Sequence, residues 1–135
     1  MDDERRARIA TIAARAAVEE RRRAAERARA QKLIDGFVEE MLRRGEPPVP
    51  LRARVVGRRE TYRTDRTGWY VRPRRALAVG VDGSFVILDA PPSLRSRLFG
   101  VEVPSSDPPL VVGRGARDGE SIDLADLLAQ HLNAG

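Results

Sequence analysis

An α+β fold is predicted by three observations on this 135-residue chain. Residues 4–44 hold no proline and a single glycine among Ala, Arg and Glu, all good helix formers. Two apolar runs, residues 76–81 and 84–89, flank Asp82-Gly83, the dipeptide that best tolerates the backbone of a tight hairpin. A third stretch, residues 124–132, carries Leu124, Leu127, Leu128 and Leu132 at helical spacing. The expected architecture is a long N-terminal helix, then a small, mostly antiparallel sheet centred on the hairpin, then a C-terminal helix. The expected organisation is 1–45 for the helix, with a projecting first half and a docking second half, and 46–135 for the α+β domain.

The long helix has two unlike halves. Leu33, Ile34, Phe37, Val38, Met41 and Leu42 form one apolar face, with Asp35, Glu39, Glu40, Arg43 and Arg44 on the other. Glu39 with Arg43 and Glu40 with Arg44 stand four apart in the favourable order. Gly45 suits a left-handed terminus, and Pro47, Pro48 and Pro50 forbid continuation. Before Arg29 only Ile9, Ile12 and Val18 are large and apolar. A heptad through Ile9, Ile12 and Ala16 runs into Glu19, Arg23 and Glu26, so no sustained coiled coil is supported.

After the prolines, residues 51–62 read as an outer strand through Val55, Val56 and Tyr62, residues 63–68 as a polar connection and residues 69–72 as a short strand. If Asp82 and Gly83 are the two turn residues, Val79 faces Val86 and Leu77 faces Leu88 on one side, with Gly80 facing Phe85 and Ala78 facing Ile87 on the other. Both sides are apolar, so each needs a cover: the long helix for one and the C-terminal helix for the other. Residues 93–99 suit one or two helical turns ended by Gly100, and residues 101–103 and 110–112 are brief strands. Asp123 is placed to cap the last helix and Asp126 to favour its dipole.

The formal net charge of +5 is unevenly spread. Residues 1–45 carry 12 basic and 9 acidic groups, residues 46–80 carry 9 and 3, and residues 81–135 carry 4 and 8. The middle segment therefore has the strongest claim on a polyanion. Arg54, Arg58, Arg59, Arg63, Arg66, Arg72, Arg74 and Arg75 are interleaved there with Tyr62, Trp69 and Tyr70. Guanidinium groups neutralise phosphates and aromatic faces stack on bases, a combination suited to single-stranded nucleic acid. The alternative is a solvated arginine face over aromatic sheet residues.

A second candidate is the glycine-rich loop before the last helix, with Gly113, Arg114, Gly115 and Arg117 as an anion-binding set. It lacks the third glycine position of a dinucleotide loop and the Lys-Ser/Thr pair of a Walker loop, which favours a plain turn.

No cysteine is present, which removes disulfides, thiolate metal sites and a cysteine nucleophile. His131 is the only histidine, and Ser84 does not lie in a nucleophile elbow. Asp82, Asp89, Asp118 and Glu120 fit turns and caps as readily as acid–base roles. The sequence thus points away from an enzyme and implies no cofactor or metal. The charged N-terminus is unlike a secretory signal, no apolar run reaches membrane-spanning length, and a cytoplasmic location follows as the expectation. The function expected is a non-catalytic protein-interaction or adaptor role with a protein partner. A nucleic-acid-binding accessory role through residues 52–75 is the alternative, and an enzyme using the glycine-rich loop ranks third.

Overall fold

The computed structural model describes residues 2–72, 77–113 and 121–134. Helix α1 spans Asp2–Arg43 and ends as its sequence dictates. Glu46 N–H donates to Met41 O and Gly45 N–H to Leu42 O, both at 3.0 Å, while Gly45 takes φ 71°. This paired bonding satisfies the last carbonyls of the helix and requires a residue at ease in the left-handed region. Ala30, Ile34, Phe37, Val38 and Met41 are buried, whereas every described residue up to Ala25 is exposed.

Strands β1 (Val49–Val55), β2 (Thr61–Arg72), β3 (Leu77–Gly80), β4 (Phe85–Ile87) and β5 (Asp89–Ala90) form one sheet in the order β4-β3-β2-β1-β5. β4 lies on one edge and β5 on the other, yet only Leu88 separates them in the chain. Ile87 and Asp89 are two residue steps apart, at most about 7 Å, which leaves no room for another strand between them, so the two edges meet. The sheet closes on itself as a small barrel. Closure uses a parallel pair, Arg54 with Asp89 and Val55 with Ala90, supported by Arg54 N–H to Leu88 O at 2.7 Å and Val56 N–H to Ala90 O at 3.0 Å. The other pairings are antiparallel.

Closure changes how the hairpin is covered. α1 and α3 (Leu124–Ala134) do not take opposite faces: both pack on the same outer side, over Trp69, Val71, Leu77, Val79 and Phe85. The other face is the barrel interior, filled by Leu51, Ala78, Val86, Leu88 and Val103, with Ala53, Val55, Tyr62 and Ala90 continuing it. The sheet covers its own second face, which removes the need for a second helical layer.

The hairpin register also differs from expectation by one residue. Leu77 pairs with Ile87, Ala78 with Val86 and Val79 with Phe85. Gly80 N–H bonds Ser84 O at 2.9 Å and Gly83 N–H bonds Gly80 O at 3.0 Å, so the loop has three residues, with Gly83 at φ 82°. Asp82 Oδ1 stabilises this longer loop by accepting from Ser84 N–H at 3.1 Å and from Ser84 Oγ–H at 2.6 Å. A one-residue slip exchanges faces, so Phe85 joins Val79 on the helix side while Ala78 and Val86 point into the barrel.

β2 absorbs residues 63–68, expected as a connection. Their polarity conceals a strand because its inward-leaning polar groups find backbone acceptors: Thr64 Oγ1 donates to Leu51 O at 2.6 Å and Arg66 Nε to Val103 O at 2.7 Å. The register shifts here, with Pro50 opposite Thr67 and Arg52 opposite Arg63, which leaves Thr64, Asp65 and Arg66 facing Leu51 alone. This bulge holds the next segment across the barrel. Val101 N–H donates to Arg63 O at 2.8 Å and Val103 N–H to Asp65 Oδ1 at 3.0 Å. Residues 101–103 thus make an isolated bridge with β2 rather than a strand of their own. β6 (Val111–Val112) pairs with β7 (Ile122–Asp123), and Asp123 stands opposite Val111 directly before α3. Among the described residues no helix is long and apolar enough to cross a membrane.

Candidate functional site

The aromatic residues of the basic span are committed to structure. Tyr62 is 3% exposed, and its hydroxyl accepts from Ser93 N–H at 2.9 Å. Trp69 is 5% exposed, packs edge-on against Phe37 and donates Nε1–H to Glu46 O at 3.3 Å. Tyr70 is half-buried against the barrel core, with its hydroxyl accepting from Arg52 N–H at 2.8 Å. The expected stacking face is therefore not offered by Tyr62 or Trp69. Bases would have to enter the core to reach them.

The arginines diverge as well. Arg63 donates to Leu98 O at 3.0 Å, and Arg66 bonds both Val103 O and Asp82, so these two guanidinium groups tie the 94–99 helix and two loops to the barrel. Arg72 is half-buried. Arg58 pairs with Glu60 at 3.1 Å on the β1–β2 turn, while Arg54 and Arg59 are exposed near it. Arg74, Arg75, Arg114, Gly115 and Arg117 lie outside the described residues. Gly113 is the last described residue before the glycine-rich segment, with φ 87°.

Charge perturbations follow this structural pattern. Asp82 is held below the usual carboxylate range chiefly by the Ser84 hydroxyl, with the Ser84 amide and Arg66 adding to it against partial burial. Glu40 is lowered to about 2, first by hydrogen bonding from Arg43 and then from Arg44. Glu20 is lowered by Arg27 and Arg23 in the same way. Each is a carboxylate stabilised by turn or helix partners. His131 stacks edge-on with Phe37 at 5.6 Å, and no cluster of three or more potential metal-ligating side chains occurs among the described residues.

Residues 93–99, expected as one or two helical turns ended by Gly100, form α2 (Leu94–Phe99), and the surface feature missed by reading the sequence is the exposure of its apolar side chains. The helix is well made: the Ser93 hydroxyl accepts from Ser96 N–H, and Gly100, at φ 82°, donates its N–H to Ser96 O. Yet it buries no side chain. Leu94, Leu98 and Phe99 are 71%, 59% and 78% exposed, with Arg95 and Arg97 beside them. Their signal was present as a Leu-x-x-x-Leu-Phe group in a short capped turn, but the same pattern suits a core-facing helix. Only the position of α2 outside the closed barrel decides between the two.

Comparison with known protein families, with curated proteins and with solved structures gives no match.

Proposed function

We propose that this chain is a non-catalytic interaction protein that engages a protein partner through α2. The observation that carries the reading is the exposure of Leu94, Leu98 and Phe99 on a helix ordered by its own caps. Large apolar groups exposed on a surface raise the free energy in water, and covering them lowers it by about 25 cal/mol per Å2 removed from solvent. An aromatic anchor flanked by arginines has the composition found at the centre of protein interfaces. The long exposed part of α1 gives the molecule reach without contributing to this patch.

The test places a photoreactive phenylalanine analogue at position 99 and, as a control, at position 9 in the native host. A discrete adduct at position 99, lost when Leu94→Ser and Leu98→Ser are added without a change in thermal melting, is the expected result. Absence of an adduct, or one indifferent to those substitutions, overturns the reading. The nucleic-acid alternative now rests on Arg54, Arg58 and Arg59 around the β1–β2 turn, which can meet phosphates without the help of stacked bases.

A further inference from the structure

A concavity of about 830 Å3 opens on the outside of the barrel beside the β1–β2 turn. This volume lies within the range of small-molecule sites. Leu77, Phe85 and Val112 supply a floor that is continuous with the helix-side core, while Val56 and Ile87 stand beside it 64% and 45% exposed. Arg54, Arg58 and Arg59 stand at the rim. Arg58 is engaged by Glu60, whereas the guanidinium groups of Arg54 and Arg59 have neither an ion pair nor a hydrogen bond among the described residues. Asp89, the neighbour of Arg54 across the closing pair, contributes the one carboxylate among the described residues that line the cleft. Cationic groups in excess over an apolar floor make the cleft complementary to a molecule that is apolar along its body and anionic at one end.

We propose that this cleft binds a small amphipathic carboxylate, its alkyl chain lying over Leu77, Phe85 and Ile87 and its head group held by Arg54 and Arg59. Arginine suits this role because its planar fork matches a carboxylate, and a charge-assisted hydrogen bond there is roughly twice as strong as a neutral one. Apolar burial supplies the affinity, and the rim selects the sign of the head group. Because none of these residues lies on α2, the proposal stands or falls independently of the interaction reading.

The probes are dodecanoate, dodecanol and dodecylammonium, each below its aggregation limit, titrated into the full-length chain by calorimetry. Dodecanoate is expected to bind saturably, dodecanol about tenfold more weakly, and dodecylammonium not detectably. The double variant Arg54→Gln, Arg59→Gln, at two exposed positions, should weaken dodecanoate by about tenfold and leave dodecanol unchanged. Asp89→Asn should tighten dodecanoate alone. Ile87→Asp should weaken dodecanoate and dodecanol; if it perturbs melting, Ile87→Ser replaces it. Equal affinity for dodecanoate and dodecanol, indifference to the arginine substitutions, or absence of saturable dodecanoate binding overturns the proposal. So does capture of an acidic extended peptide at this cleft with dodecanoate unbound.

Discussion

At Gly68 the barrel tolerates no side chain. Gly68 faces Gly80 across β2 and β3, and a Cβ there would overlap the Val79 carbonyl oxygen and lie 2.7 Å from Gly80 Cα. Backbone cannot rotate aside as a flexible side chain could, so Gly68→Ala should destabilise by at least about 1 to 3 kcal/mol, measured by chemical denaturation. Phe85 makes the complementary case. It is 3% exposed in the layer shared with both long helices, and Phe85→Ala should cost about 3 to 5 kcal/mol in the same experiment. A loss well below about 1 kcal/mol would contradict its place in that layer. Burial of Phe85 is legible from its apolar strand, but its partner is not: the Ser84–Asp82 bonds that lengthen the turn leave no mark in hydrophobic periodicity, and they replace Gly80 by Val79 as the residue opposite. Glu40 sets a pH expectation. Its folded carboxyl lies at about 2 against an ordinary 4.5, so its contribution is fully present above 4.5 and is lost as pH falls through about 2. Carboxyl titration followed by NMR should find that depressed midpoint, and Arg43→Ala with Arg44→Ala should return it toward 4.5.

At the scale of elements, α1 divides at about Ala30. Beyond it, Ile34, Phe37, Val38 and Met41 enter the core, and Gln31 Nε2 donates to Gly83 O at 2.7 Å, seating the helix on the hairpin turn. Before it, stability rests on helix propensity, on Asp2, Asp3 and Glu4 at the positive end of the dipole, and on exposed pairs such as Arg23 with Glu20. None of these couples to the barrel. Removal of residues 1–28 should therefore reduce helical circular dichroism in proportion to the helix lost while leaving the melting transition of the remainder nearly intact; insoluble aggregation of the truncated chain would show that the segment supports the fold. The helices were legible because caps and 3.6-residue periodicity are local signals. The middle of β2, residues 63–68, was not, since Thr64 and Arg66 satisfy their polar groups on backbone carbonyls that sequence pattern cannot place nearby. The bulge and the residues 101–103 that cross it are the same information seen from two sides, available only after folding.

At the scale of the whole molecule, closure of the barrel explains both what the fold hides and what it displays. Pairing of β5 with β1, directly after Leu88 leaves β4, encloses Tyr62 and half-buries Tyr70, while α1 and α3 seal Trp69 from the other side. The arginine and aromatic interleaving of residues 52–75 was plain in the sequence, but sidedness depends on the bulge and on closure, which set Tyr62 and Tyr70 toward the barrel interior, Trp69 beneath the helices, and the described arginines at separate places. The same event leaves α2 and its Leu94, Leu98 and Phe99 outside. The two functional readings consequently predict opposite solution behaviour. With Tyr62 and Trp69 buried and Tyr70 only partly exposed, single-stranded DNA or RNA meets mainly dispersed guanidinium groups, and attraction of that kind decays steeply as salt removes the gain from counterion release. Binding measured by fluorescence anisotropy should be weak at low salt and undetectable near physiological salt. Trp69→Ala should lower stability by about 3 to 5 kcal/mol, because it empties core, and should not act through loss of a stacked base. Tyr70 is the one aromatic of the span with some exposure, so Tyr70→Phe, which keeps the ring and removes the hydroxyl held to Arg52, separates stability from binding. Saturable binding near physiological salt that survives Tyr70→Phe, yet loses about 1 to 3 kcal/mol in Tyr70→Ala with the fold intact, would show a base stacked on that ring. That outcome would move the function of this protein from α2 to the basic strands.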